Sequence, residues 1–283
     1  MKGKKTINII LKFMKKMKYD RIDLYAAQAS FYTIMSAIPV LMLMFTLLKF
    51  TPLTQEMVME ALGRIMNADI MSKVQEIVGN VYHGSITLVS FAALSLFWVS
   101  GKGILGLMNG LNNIHRLKEN RNYFLLRIRA SAYTVLMVVA FILAAAILVF
   151  GFRFQSYLSG LFPLLENYQD ILIYLQTLIA LCLLMLIFTA LYVFLPNRVK
   201  AFVSQFPGAV FATLSWCIFS YFFSMYLNYA KNMSVIYGGL VTLVVLMLWL
   251  YSCMYLWFIG AEINAYMENP DSFEEENWPG YRK

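Results

Sequence analysis

The amino-acid sequence predicts an all-α, polytopic membrane protein with six transmembrane helices, preceded by an amphipathic interfacial helix. The first observation is composition, because 60% of the 283 residues are hydrophobic and only 13% are charged. A soluble domain of this size leaves about a quarter of its unfolded surface in water and cannot hide so much apolar surface. The second observation is that six stretches lack Asp, Glu, Lys and Arg. Each exceeds the length of about 20 residues that a spanning helix needs.

The chain opens with a basic amphipathic segment, residues 1–23. On a helical projection its apolar residues fall on one arc of about 120°, with lysines beside them. The apolar residues are Ile7, Ile10, Leu11, Met14 and Met17, and the lysines are Lys4, Lys5, Lys12, Lys15 and Lys16. This pattern predicts a helix in the membrane interface, with its lysines on lipid phosphates.

The transmembrane domain is predicted over residues 24–266. Its charge-free stretches are residues 24–48, 77–101, 130–152, 171–197, 201–230 and 232–261. None shows the strict alternation of apolar and polar residues that a barrel strand requires. Between the first two stretches, residues 51–84 have a helical rhythm and predict one or two short helices outside the membrane. Residues 109–129 predict a polar, basic loop, and residues 267–283 predict an acidic, disordered tail.

Lysines and arginines indicate the orientation. Eighteen of the 23 lie in the N-terminal segment, residues 102–129, residues 198–200 and the C-terminal tail, and five lie on the other side. The positive-inside rule therefore predicts a protein of the cell inner membrane with both termini in the cytoplasm. A net charge of +8 then indicates anionic lipid headgroups as partners, and we expect no nucleic-acid binding. The sequence leaves open a homo-oligomer or a partner subunit.

Soluble-type catalysis finds no support in the sequence. There are only two histidines and three cysteines, and we find no metal-protease, P-loop or serine-hydrolase motif. The cysteines all lie in predicted spans, where a thiolate is costly. We therefore expect no enzyme activity, no catalytic residue, no cofactor and no metal site.

The candidate functional residues are polar groups at membrane depth and arginines at the cytoplasmic rim. Successive turns of the first span place Gln28, Tyr32 and Ser36 on one face, and Pro39 leaves the carbonyl of Met35 without its helical partner. Helix–helix hydrogen bonding around a kink is the alternative interpretation of this face. The substrate or ion pathway candidates are Gln28, Tyr32, Ser36, Pro39, Lys102, Asn112 and Glu262, and the headgroup-binding candidates are Arg116, Arg127, Arg129 and Arg198.

Lys102 and Glu262 are predicted at the same depth, as either a structural salt bridge or an ion-linked gate. Three functions stay open. The first is a transporter or flippase of an anionic amphipathic envelope lipid or related solute, with Glu262 as the candidate residue if movement is coupled to an ion. The second is a cation/proton antiporter. The third is a non-transporting membrane scaffold or envelope-integrity factor, whose polar groups would be tied in hydrogen bonds without a cavity.

Several of these segments together resemble one family. Residues 27–39 resemble the AxxxAFYxxxSxxP signature of YihY/BrkB family membrane proteins, apart from Ser30 where alanine is more frequent. Further similarity lies in residues 98–112, 195–198, 207–209, 236–240, 248–251 and 260–263, with Gly239 where serine is usual. The resemblance implies a six-helix inner-membrane protein of a family named for virulence, linked to lipid or cation transport, and formerly labelled ribonuclease BN. Two histidines are too few for the zinc-dependent nuclease which that label implies.

Overall fold

Regular secondary structure is entirely helical in the residues that the computed structural model describes. These are residues 2–48, 86–119, 122–137, 169–229 and 239–274, with single positions 59, 71, 75, 79, 139 and 278. We number the helices in chain order as α1 (Lys2–Tyr19), α2 (Ile22–Leu48), α3 (Ile86–Ile114), α4 (123–137), α5 (Gln169–Phe194), α6 (Phe202–Tyr229) and α7 (Gly239–Glu268). A short 3₁₀ helix, Pro270–Phe273, follows α7.

Three helices are long and apolar enough to cross a membrane in the part of the chain that the structure describes. Their membrane-compatible segments are Thr177–Phe194 in α5, Phe202–Leu227 in α6 and Leu243–Glu268 in α7. Helix α2 contains the first predicted span. Most of the third predicted span and the predicted outer element, residues 51–84, lie outside the described residues. The number of six spans therefore stays a prediction.

Helix α3 extends about four turns further than the sequence pattern predicted. The charge-free stretch ends before Lys102, and residues 109–129 were expected to form a loop, but α3 continues to Ile114 and α4 begins at residue 123. The extension is an amphipathic helix whose apolar residues recur three and four apart and are buried. These residues are Ile104, Leu105, Leu107, Met108, Leu111 and Ile114. A single lysine at its start does not stop such a helix.

Helix α7 connects two pairs of packed helices, α2 with α3 and α5 with α6. Helix α2 packs along α3 and against α7, and α6 packs against both α7 and α5. Three glycines of α3 make close contact with α2. A Cβ added at Gly103 would lie 3.5 Å from Cβ of Tyr32, one at Gly106 would lie 3.3 Å from the Gln28 side chain, and one at Gly110 would lie 3.1 Å from Cβ of Tyr25. Glycines at these positions let the two helices approach closely.

Helix α1 is fastened by the C-terminal strap, which we define as residues 270–274 with Trp278. Phe273 stacks on Phe13 with ring centroids 5.5 Å apart. Trp278 stacks on Tyr19 with centroids 4.9 Å apart. Nζ of Lys12 lies 2.5 Å from Oε1 of Glu274. The expectation of a disordered tail therefore fails for these residues, because two buried aromatic side chains anchor them.

Candidate functional site

Charged side chains gather at one end of the bundle, where α1, the end of α3, the corner at residues 195–200 and the C-terminal strap meet. We call this region the charged end. Its centre is the buried ionic cluster, which we define as the buried residues Lys16, Asp20 and Glu262 together with the exposed Arg116. Lys16, Asp20 and Glu262 are completely buried. Charged side chains are rarely buried in this way unless they are paired.

Lys16 stands between two acidic groups in the buried ionic cluster. Its Nζ forms an ion pair with Asp20, one turn later, and lies 3.9 Å from Oε2 of Glu262 in α7. Nη2 of Arg116 lies 3.0 Å from Oδ1 of Asp20. Neither carboxylate oxygen of Glu262 has a hydrogen-bond partner among the described residues. Among the described ion pairs, Glu262 thus has one cation, at 3.9 Å, while Asp20 has two.

Backbone geometry positions the cluster. Arg116 follows the end of α3 with a φ of 55°, and Arg21 follows α1 with a φ of 53°. Residues in this left-handed region commonly end helices. The side-chain Nδ2 of Asn113 donates a hydrogen bond of 2.7 Å to the backbone carbonyl of Asp20. The end of α3 is therefore tied to the turn between α1 and α2.

Lys16 is the main departure from expectation at this end. The amphipathic pattern placed it among lysines on lipid phosphates, and the structure buries it between α1 and α7. Its spacing of four residues from Asp20 was the available signal, since opposite charges so spaced meet on a helix. The sequence pattern also placed Lys102 at the same depth as Glu262, with a salt bridge or an ion-linked gate as the two interpretations. Lys102 instead lies with its Nζ 5.2 Å from the ring centroid of Tyr32.

A second polar network joins α6 to α7 beside the cluster. Pro207 lies inside α6 and supplies no N–H to the helix. The buried Asn264 of α7 bridges this region, because its Oδ1 accepts from N of Gly208 at 2.6 Å and its Nδ2 donates to the Gln205 carbonyl at 3.0 Å. Nε2 of Gln205 donates to Glu268, which also pairs with Lys200. Sequence reasoning did not single out Asn264 or Gln205.

A basic recess opens at the charged end. It has a volume of about 970 Å³ including the space open to solvent, and it is lined by Arg116, Leu117, Lys118, Asn197 and Arg198. Asn112 holds its two walls together, since its Oδ1 accepts from N of Asn197 at 2.7 Å. Nδ2 of Asn197 donates to the Lys118 carbonyl at 2.9 Å. The recess thus combines two headgroup candidates, Arg116 and Arg198, with a positioning role for Asn112.

The other two headgroup candidates lie away from the recess. Arg129 donates to the hydroxyl of Tyr133 and to the carbonyl of Phe194, at 2.8 and 3.2 Å from Nη2. A cation there complements the C-terminal end of the α5 dipole. Arg127 is buried, and a Cβ added at Gly101 would lie 3.4 Å from its Cζ.

An apolar cavity lies deeper in the bundle, with a volume of about 1030 Å³ including the space open to solvent. It is lined by Thr33, Ser36, Gly103, Ile104, Leu107, Thr134, Met137, Phe188, Leu191, Trp216, Leu250, Met254 and Trp257. Among the pathway candidates, Ser36 contributes to this lining, and Gln28 and Tyr32 instead pack on the glycines of α3. The helical position of Pro39 falls within α2, and its side chain lies outside the described residues.

Comparisons with known proteins agree with the sequence pattern. The model of the family described as virulence factor BrkB matches residues 13–282. A relative named putative ribonuclease-like protein YfkH, from Bacillus subtilis, is 28% identical over 94% of this chain and 99% of its own length. A UPF0761 membrane protein of Photobacterium profundum is 27% identical over 93% of this chain and 81% of its own. One from Vibrio vulnificus is 25% identical, covering 93% and 82%. No solved structure matches the chain significantly.

Proposed function

The chain is a membrane protein of the virulence factor BrkB family, and on this premise we propose that it is a transporter or flippase for an anionic amphipathic envelope lipid or a related solute. The observation that carries the proposal is the basic recess. Arg116, Lys118 and Arg198 come from two separate loops and line one space at the end of the membrane helices. Guanidinium groups bind phosphate oxygens in a bidentate manner, so the recess suits a phosphate-bearing headgroup.

We also propose the orientation that this function requires. Six helices span the inner membrane, both termini face the cytoplasm, and α1 lies in the interface. The interfacial position of α1 is supported by its exposed apolar side chains, which would otherwise face water. They are Ile9, Ile10, Leu11 and Met14. With this orientation, the charged end meets the headgroups of the cytoplasmic leaflet.

Lipid movement in proteoliposomes tests the proposal. We expect the double variant Lys118→Gln with Arg198→Gln to slow the movement of fluorescent phosphatidylglycerol at least fivefold. Movement of fluorescent phosphatidylcholine should stay unchanged. Arg21→Gln removes an arginine outside the recess at the same end and is the matched control. If the wild-type protein moves neither lipid, or the double variant moves both at the wild-type rate, the recess does not serve transport.

A cation/proton antiporter is the second candidate, and the burial of Glu262 favours it. A buried carboxylate with no geometric hydrogen bond and one ion pair, at 3.9 Å, among the described residues resembles the intramembrane acids of proton relays. In that case Glu262→Gln abolishes cation-driven proton movement in proteoliposomes. Glu274→Gln, which alters an exposed carboxylate, leaves it unchanged. Retained proton movement in Glu262→Gln would exclude this residue from coupling.

We further propose that the chain is not an enzyme and has no ribonuclease activity, although one relative carries a ribonuclease-like name. The test measures RNA cleavage by the purified protein in the presence of divalent metal ions. Turnover that exceeds that of a mock purification would contradict the proposal.

A scaffold function would be supported instead if neither lipid nor ion flux is found in a folded protein.

A further inference from the structure

We propose that the apolar cavity binds one acyl chain of a membrane phospholipid. The inference builds on the proposed lipid substrate and assigns its hydrocarbon part to a place in the fold. Six of the thirteen lining residues belong to the membrane-compatible segments of α5, α6 and α7, among them Leu191, Trp216 and Met254, and the other seven belong to α2, α3 and α4. Hydrocarbon, and not water, surrounds the protein at this depth.

The polar residues of the cavity wall favour an apolar occupant. Thr33 and Ser36 donate their hydroxyl groups to backbone carbonyls of α2, at 2.8 and 2.9 Å. Thr134 donates to the carbonyl of Ala130 at 3.0 Å. These three hydroxyl groups already donate hydrogen bonds to carbonyls of their own helices. A bound water needs two to four polar partners. The cavity therefore suits neither a chain of waters nor a desolvated ion.

The ring of Trp257 forms a fixed part of the cavity wall. It stacks on Tyr192 with centroids 4.6 Å apart. Its Nε1 is buried away from the cavity surface, so the ring presents carbon atoms to an occupant.

The volume agrees with a single chain. At roughly 30 Å³ for each methylene group, a chain of sixteen methylene groups needs about 480 Å³. The cavity provides about 1030 Å³ including the space open to solvent, so one acyl chain fits.

Photolabelling of the full chain in vesicles tests the inference. The probe is phosphatidylglycerol with a diazirine at the end of one acyl chain, and labelled residues are mapped by mass spectrometry. We expect label on Leu107, Met137 and Met254, in excess over the exposed, outward-facing residues of α5. Label confined to exposed residues would overturn the inference. Label from a free diazirine fatty acid alone, without any from the phospholipid, would overturn the assignment to phospholipid.

Filling the cavity supplies the matched pair of variants. Leu191→Trp enlarges a buried cavity residue of α5 and should reduce labelling of the cavity at least fivefold. Leu186→Trp makes the same change on the exposed face of α5 and should leave labelling within twofold of wild type. If Leu191→Trp does not fold, Leu107→Phe takes its place. Unchanged labelling in a folded, filled variant would contradict the inference. Photolabelling does not depend on transport. If the cavity is labelled in a protein that moves no lipid, the proposed transport function is refuted and the inference about the cavity still holds.

Discussion

At the scale of single residues, His115 shows how the charged end changes an ionisable group outside the membrane helices. Burial, followed by the nearby cation Lys200, lowers the pKa of His115 from 6.5 to about 4, against the opposing influence of Glu268. Lys16 adds a smaller lowering influence. The imidazole is therefore neutral in the folded protein at pH 6, and it is largely protonated in the unfolded chain just below that pH.

This pKa predicts acid destabilisation through His115. Between pH 6.5 and about 4 the unfolded chain binds more protons than the folded one, so stability is highest above pH 6.5 and falls as the pH drops. The full difference corresponds to about 3 kcal/mol. The variant His115→Gln should flatten this part of the curve, which thermal unfolding in detergent at a series of pH values measures. Identical pH profiles for both proteins would exclude the assignment.

Lys16 and Glu262 lead to a second residue-scale prediction. Lys16→Met leaves Glu262 buried without its cation and should destabilise the protein by about 3 kcal/mol, whereas Asp20 keeps Arg116. Adding Glu262→Gln removes the uncompensated carboxylate and should recover most of that loss. The control Lys12→Met breaks an exposed pair and should cost below about 1 kcal/mol. Denaturant unfolding provides the comparison, and additive effects of the two buried substitutions would show that they do not interact.

At the scale of helices, the contact of α6 with α7 depends on two glycines. A Cβ added at Gly208 would lie 2.1 Å from the carbonyl oxygen of Gly260, and one at Gly260 would lie 2.5 Å from that of Gly208. The atoms in the way are backbone, so the helices must separate to relieve the overlap. Separation would also stretch the hydrogen bond from Gly208 to Asn264.

We therefore expect opposite outcomes for two glycine substitutions. Gly208→Ala should destabilise the protein by about 3 kcal/mol or more, since overpacking is joined by the loss of a buried hydrogen bond. Gly103→Ala meets atoms no closer than 3.5 Å and should be neutral or stabilising by up to about 1 kcal/mol, because alanine favours helix. The unfolding midpoint of each purified variant measures this. A tolerated Gly208→Ala would mean that α6 and α7 are further apart than described.

The helices could be predicted from sequence because their signals are local. Counting charge-free residues found α2, α5, α6 and α7, but it stopped α3 at Lys102, although an amphipathic helix tolerates a lysine. Pairing between distant segments has no such signal. Glu262 has Lys16 as its neighbour, and not Lys102, because α1 folds back over the end of α7. The bridge from Asn264 to Gln205 and Gly208 also lacks a local signal, because only the packing of α6 on α7 brings these residues together.

At the scale of the whole molecule, the charged end collects the segments that the sequence predicts on one side of the membrane. The contact of Asn197 with Lys118 and that of Lys12 with Glu274 join four such segments. In cells whose protein lacks Cys182, Cys217 and Cys253, an impermeant thiol reagent should modify Asn67→Cys from outside and spare Glu275→Cys. Labelling after membrane permeabilisation is the control for reactivity. The reverse pattern would invert the proposed topology and move the basic recess to the outer face.

The C-terminal strap has a consequence for biogenesis. Lys12 and Glu274 are 262 residues apart in the chain, so the ribosome must synthesise α2 to α7 before α1 can be fastened. Until then α1 lacks Phe273, Trp278 and Glu262, and Lys16 lacks one of its two acidic neighbours. Nascent chains that stop before the strap should therefore expose α1 to proteases and chaperones. The C-terminal strap thus allows α1 to reach its final position only after α7 has been synthesised.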